Sequence, residues 1–319
     1  MLPAILKLIR WKNLLIIGFT QYCIRYLLIN GMLKFMNLGI ILQMGDFNFF
    51  LLSLSTICIA AAGYIINDYF DTRIDAFNKP DKVVVGKSIG RRQAMLLHTV
   101  INVIGVALGF YVAFRVGVIK LGFIHLLSTG LLWFYSTDFK KQFLIGNIVT
   151  SLLTAMVPMI VVLYELPVLI TKYKTVLQFS GVNFNHILQF VAIYAGFAFL
   201  TSMIREIVKD MEDHFGDKQF GCNTIPIAYG INGAKKVVYV LVVIEMILLL
   251  LVQIKQLASL DMTSFLYFAL CFQTGFCIFL YRIKKAHDPL HFHKASSTLK
   301  IIMLLGVIYS GLYYYLLLY

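Results

Sequence analysis

Two short acidic stretches hold the chemistry open to this sequence. Asn67 to Asp75 reads NDYFDTRID, and Arg205 to Asp217 reads REIVKDMEDHFGD. Asp68, Asp71 and Asp75 are separated by three and four residues, and Asp210, Asp213 and Asp217 repeat the same two intervals. Steps of three, four and seven return to one face of a helix, so each stretch predicts a stripe of carboxylates. Asn67, four before Asp71, and Glu206, four before Asp210, lengthen the stripes by one oxygen-bearing side chain each. Gly216 is a point where the second helix can end, leaving Asp217 to enter from a loop. A solvated helix end is the bland explanation of one such stretch. Concentration argues against it for two: the windows 67–75 and 206–217 cover 21 residues and hold 8 of the 15 acids, where even scatter would leave about one. Like charges at this spacing oppose helix formation by roughly 0.2–0.5 kcal/mol per pair, so something positive must offset them. All-oxygen donor sets suit hard divalent ions. Mg2+ typically binds through one or two carboxylates while keeping water and phosphate oxygens. Two facing triads therefore suit Mg2+ ions around one diphosphate, with Asn67, Asp68, Asp71, Asp75, Asp210, Asp213 and Asp217 as the metal and diphosphate group.

Such a site suits loss of diphosphate from an allylic lipid. Metal ions and cationic side chains would stabilise the charge growing on the leaving group. The allylic cation left behind needs dry, aromatic walls, because water would trap it. Tyr64, Tyr69, Phe70, Trp133, Phe134 and Tyr135 fall near predicted span ends and can supply them. Aromatics at that depth are equally the ordinary interfacial belt.

The elements that must position these residues are membrane helices. Hydrophobic residues make up 60%, charged residues 13%, and mean hydropathy is +0.83, far from the composition of soluble domains. Nine apolar runs predict spans near 13–33, 47–67, 94–114, 118–136, 143–164, 187–205, 236–254, 263–281 and 299–318, one bundle and one domain over residues 1–319. With the N-terminus cytoplasmic, that side holds 21 Lys and Arg against 6 on the other, and Arg25 lies inside a span. The positive-inside rule then sets the orientation and places both acidic stretches at the cytoplasmic face. The net charge of +13 is thus a topology signal, and nucleic acid is excluded as a partner for want of soluble surface. Five cysteines without CxxC spacing predict neither disulfides nor zinc. The first apolar run lacks a cleavage site and reads as a span rather than a signal peptide.

The same residues carry a family resemblance. NDYFDTRID is similar to the first aspartate-rich motif, NDxxDxxxD, of the UbiA superfamily of intramembrane prenyltransferases, and KDMEDHFGDKQFGCNTIPI resembles the second, DxxDxxGDxxxGxxTxP. LIRWKN, with Arg10 and Asn13, resembles the first-helix RPxN with Trp11 in place of proline. FYSTDFKKQFLIGN resembles the segment after the fourth helix, here Tyr135, Lys140, Lys141, Gly146 and Asn147. The resemblance implies an all-α membrane protein of nine helices ringing a central cavity under a small cytoplasmic cap. It also implies a prenyl diphosphate donor bound through Mg2+, with membrane lipids around it. The wording leans toward the geranylgeranylglyceryl phosphate geranylgeranyltransferases, with aromatic quinone precursors as the sister class of acceptor. One departure stands out: after NKPDK the family usually continues PxPSG, whereas this chain reads VVVGK, Val83 to Lys87.

Resemblance and side-chain chemistry together assign Arg10, Tyr135 and Lys140 to the departing diphosphate, with Asp71, Asp75, Asp210 and Asp217 as the central carboxylates. Arg73 and Lys82 are second candidates for donor phosphate or an anionic acceptor. Lys141, Arg91 and Arg92 read as positive-inside residues. Glu206 and Asp213 are candidate bases for the acceptor hydroxyl, in competition with salt bridges to Arg205 or Lys209. HDPLHFH, His287 to His293, has no carboxylate cluster to match it and is not read as a metal site. Gly105, Gly109 and Gly146 read as close helix contacts. A transporter with a carboxylate site is the rival class. It would place acids at the membrane midplane, whereas these cluster at one face. An inactive scaffold is the third reading.

Overall fold

The computed structural model describes residues 2–78, 80, 83–181 and 183–318. Among the described residues eleven helices, short 3-10 turns aside, carry the chain: α1 Leu2–Leu8, α2 Trp11–Phe35, α3 Asp46–Asn78, α4 Arg91–Arg115, α5 Gly122–Thr137, α6 Ile145–Lys172, α7 Lys174–Ser180, α8 Asn185–Gln219, α9 Ile225–Ala258, α10 Met262–Lys285 and α11 Pro289–Leu318. Each predicted apolar run is helical, as it must be where no water can satisfy backbone amides and carbonyls. The protein is an all-α, polytopic integral membrane protein.

Among the described residues eight helices, not nine, are long and apolar enough to cross a bilayer. These are α2, α3, α4, α6, α8, α9, α10 and α11. The run expected at 118–136 forms a 3-10 turn, Ile119–Leu121, that leads directly into the 16 residues of α5.

Hydropathy located the apolar part of each helix and not its end. The 33 residues of α3 reach Asn78, and the 35 of α8 reach Gln219, so both acidic stretches continue a spanning helix without a break. Gly216 does not end α8, and Asp217 stands on the helix with Asp210 and Asp213, so the stripe is continuous and the loop alternative falls away. The helix ends at Gln219, and Gly221 just beyond it takes the left-handed conformation with φ 72°. There Cys222 N–H bonds Asp217 O at 2.9 Å, and Gly221 N–H bonds Lys218 O at 3.4 Å, the pairing of a Schellman cap.

The chain divides into two compact units. The first comprises Met1–Phe139, Met156–Ala195 and Leu317–Tyr319, the second Lys140–Ala155 and Gly196–Leu316. In the first unit α4 packs against α3 and α5 through glycines. A Cβ on Gly105 would lie 3.2 Å from Ile59 N, and one on Gly109 would lie 2.4 Å from His125 Cγ. Arg25 sits in a π turn, Ile24–Ile29, and is 1% exposed. It donates to Glu165 Oε2 at 3.0 Å, to Asp46 Oδ1 at 2.8 Å and to the Met44 carbonyl. Glu165 in turn accepts from the Gln43 and Met44 amides at 2.7 and 3.0 Å. The intramembrane arginine thus has structural partners on three segments, the arrangement that makes a buried charge tolerable.

The second unit contains a buried acid as well. Glu245, on α9, is 1% exposed and accepts the Thr201 hydroxyl. Lys235 is buried too, and its ammonium donates to Ala286 O at 2.6 Å beyond the end of α10. These groups, with Glu165, qualify the expectation that the acids gather at one face. The sequence signal for Glu245 was available, a lone acid within VVIEMILLLL.

Candidate active site

In the first unit, α3 carries Asn67, Asp68, Asp71 and Asp75, with the three aspartates half-buried. Arg10 reaches them from the break between α1 and α2. It adopts φ 52° and ψ 52°, a left-handed conformation costly for a residue with a Cβ and often kept at functional sites. From there Nη2 donates to Asp68 Oδ1 at 2.8 Å, and the guanidinium lies 4.9 Å from the centre of the Tyr64 ring. Asn13 Nδ2 donates to Tyr64 Oη at 3.5 Å, and Tyr135 lies within electrostatic reach of Arg10. Arg10, Asn13, Tyr64, Asp68 and Tyr135 therefore gather at one place, although they come from three parts of the sequence.

Other expected members stand elsewhere. Arg73 is exposed and two residues from both Asp71 and Asp75, which turns it to the opposite side of α3. Lys82 lies outside the described residues. Phe70, Trp133 and Phe134 are 38, 39 and 53% exposed. Phe70 meets Trp133 edge-on at 5.9 Å, and these three fit the interfacial belt, whereas Tyr64 and Tyr135 stay with Arg10.

In the second unit, Asp210 Oδ2 accepts from Asn147 Nδ2 at 2.8 Å. Asn147 is buried near the start of α6, so this carboxylate is aimed by a neighbouring helix. Glu206 is bound by Lys209 at 2.8 Å and Arg205 at 3.2 Å, the salt bridges that competed with a role as base. Lys140 lies in a 3-10 turn, Phe139–Lys141, which is tied to the loop after α8 by Asn223 N–H to Lys141 O at 2.7 Å. The Lys141 side chain is exposed.

Sequence reading missed two contacts. His293 Nδ1 lies 3.2 Å from Glu212, a buried acid on the α8 motif, so HDPLHFH does have a carboxylate partner. Only packing of α11 against α8 creates that pair. Arg91 lies 4.3 Å over the Tyr69 ring and donates to Thr72 Oγ1 at 3.1 Å, beside the first aspartate stripe.

The donor set fits Mg2+. Around the first stripe the ligand candidates are carboxylate and amide oxygens, and Asn67 Oδ1 is buried with no hydrogen-bond partner among the described residues. Among those residues no three His, Cys, Asp or Glu side chains already converge on one point. An ion held by one or two carboxylates, water and substrate phosphate needs no such cage, whereas a closed structural zinc site would.

A family model described as the UbiA prenyltransferase family matches residues 40–302. A digeranylgeranylglyceryl phosphate synthase of Methanosphaera stadtmanae is 29% identical over 258 residues, covering 80% of this chain and 85% of that one. A solved structure concerned with digeranylgeranylglyceryl phosphate synthase in membranes is 23% identical with a TM-score of 0.60, covering 98% of this chain and 97% of that one. A UbiA homolog from Archaeoglobus fulgidus bound to DMAPP and Mg2+ is 16% identical with a TM-score of 0.55, covering 96% and 98%.

Proposed function

The chain belongs to the UbiA prenyltransferase family, and from that premise we propose that it transfers a geranylgeranyl group from geranylgeranyl diphosphate to a geranylgeranylglyceryl phosphate lipid. The observation that carries the reading is that α3 and α8 each run unbroken out of an apolar span into aspartates at intervals of three and four. The acceptor is supported by the name of the Methanosphaera relative, and the prenyl diphosphate and Mg2+ by the ligands of the Archaeoglobus homolog.

When bound, Mg2+ supplies positive charge against the diphosphate as its bond to the allylic carbon breaks. The chain's own residues do the rest. Asp68, Asp71, Asp75, Asp210, Asp213 and Asp217, with Asn67, supply the oxygens that hold the metal and diphosphate. Arg10, Tyr135 and Lys140 take up charge on the leaving oxygens. Arg10 is oriented for this by Asp68, and Asp210 by Asn147. The acceptor hydroxyl oxygen bonds to the allylic carbon and its proton passes to a carboxylate. Glu206, which Lys209 and Arg205 engage, and Asp213 are the candidates for that base. In this reading the N-terminus and the aspartate stretches lie on the cytoplasmic side. The 21 to 6 distribution of Lys and Arg supports that orientation.

The test is incubation of the purified protein with labelled geranylgeranyl diphosphate, Mg2+ and either geranylgeranylglyceryl phosphate or dihydroxynaphthoate. A doubly prenylated glycerol phosphate and released pyrophosphate are expected. Product from the naphthoate alone would move the protein to the aromatic branch, and no product with either would overturn the reading.

A further inference from the structure

The VVVGK stretch, where the first cap loop departs from the usual family wording, forms an apolar plug. Val84, Val85 and Ile89 are buried together with Leu8, Ile65 and Ala94, and Tyr69 packs against the same cluster. The turn is closed by Gly86 N–H to Ile89 O at 2.8 Å and Ser88 N–H to Val84 O at 2.9 Å, with Gly86 at φ 85°. The plug fixes two things at once, the Tyr69 ring and the start of α4. Gly90 N–H is held by Gln93 Oε1 at 3.1 Å, and Arg91 follows directly. Its guanidinium is thereby laid over Tyr69 at 4.3 Å and braced by Thr72 at 3.1 Å.

That position is beside the aspartate stripe and not on it. At about 100° per residue, Thr72 lies roughly 40° and Tyr69 roughly 100° round α3 from Asp68, both on one side. Arg10 bonds Asp68 itself. In the proposed function the donor diphosphate is answered by the metal, the stripe and Arg10. A flat, stacked guanidinium with donors to spare, set off the stripe, meets a second anion, and forked donors suit a phosphate. We propose that Arg91, stacked on Tyr69 and braced by Thr72, binds the phosphate of the glycerol phosphate acceptor. This rests on the proposed function, whose acceptor brings such a phosphate.

The experiment compares steady-state kinetics of the full chain with Arg91→Ala and Arg91→Lys, varying the donor and geranylgeranylglyceryl phosphate separately. The acceptor KM is expected to rise about tenfold or more in Arg91→Ala and less in Arg91→Lys, the loss of a charge-assisted contact. The donor KM is expected to stay within about twofold. Equilibrium binding of labelled acceptor without donor should weaken in the same order, and geranylgeranylglycerol, which lacks the phosphate, should show no dependence on residue 91. An unchanged acceptor KM, or equal rises for donor and acceptor, overturns the assignment. If Arg91→Ala does not fold, Arg91→Lys and Thr72→Val carry the same comparison. Failure of the underlying reading is distinguishable: wild-type protein would then make no product from the glycerol phosphate lipid, and both conclusions would fall.

Discussion

Asp71 and Asp217 share no segment of chain, yet the proposed chemistry asks the same of both. Replacing either with alanine removes an oxygen ligand from the metal and diphosphate group. Turnover is expected to fall by at least about 100-fold, as when a charge-stabilising group is deleted elsewhere, with expression and helical circular dichroism unchanged. Normal rates in either variant would remove that residue from the site. Asn147 offers a subtler test, because it touches Asp210 and is not itself expected to touch the metal. Losing the hydrogen bond that aims a ligand usually weakens metal affinity by about 10–100-fold. Asn147→Ala should therefore raise the Mg2+ concentration needed for half-maximal activity, with much of the rate recovered at high Mg2+. A rate loss that extra Mg2+ leaves untouched would make Asn147 a packing residue only.

At the scale of elements, glycines and one arginine decide how helices can approach. Gly109 faces His125 at a distance that leaves no room for a methyl group, whereas a Cβ at Gly130 would meet nothing within 4 Å. Gly109→Ala should destabilise the protein by about 1–3 kcal/mol through overpacking. Gly130→Ala should be neutral or stabilise by up to about 1 kcal/mol through helix propensity. Thermal unfolding in detergent checks the pair, and equal midpoints would refute the close contact. Arg25 binds Glu165 of α6 and Asp46 of α3 from within α2. Arg25→Ala strands the buried Glu165 charge and is expected to cost about 3–5 kcal/mol, read as a large fall in the same midpoint.

For the molecule as a whole, the metal reading and the membrane orientation each have a direct measurement. Activity should disappear in EDTA and return with added Mg2+, and turnover that persists in EDTA would contradict metal-assisted ionisation. In sealed right-side-out vesicles, a membrane-impermeant thiol reagent should fail to label a single cysteine introduced at exposed Lys141 and should label it after lysis. Labelling in intact vesicles would reverse the proposed orientation.

Much of this protein could be read from its sequence because membrane helices and acidic stripes are local patterns. Apolar runs demand helices, since hydrocarbon offers the backbone no other partner, and intervals of three and four place aspartates on one face wherever the helix continues. Patterns of this kind, local along the chain, determine the fold class and the two helical stripes and point to metal chemistry. They do not say where helices stop, because a polar helix end has the hydropathy of a loop; hence Asp217 is open to being a loop residue until the structure places it on α8. Nor could they find pairings between distant segments. Arg10 with Asp68, Asn147 with Asp210, His293 with Glu212 and Arg91 with Tyr69 join residues 58, 63, 81 and 22 positions apart in sequence. Which of many charged residues meet across such separations depends on helix packing and on the plug of Val84, Val85 and Ile89, and no periodicity along one strand of sequence encodes it.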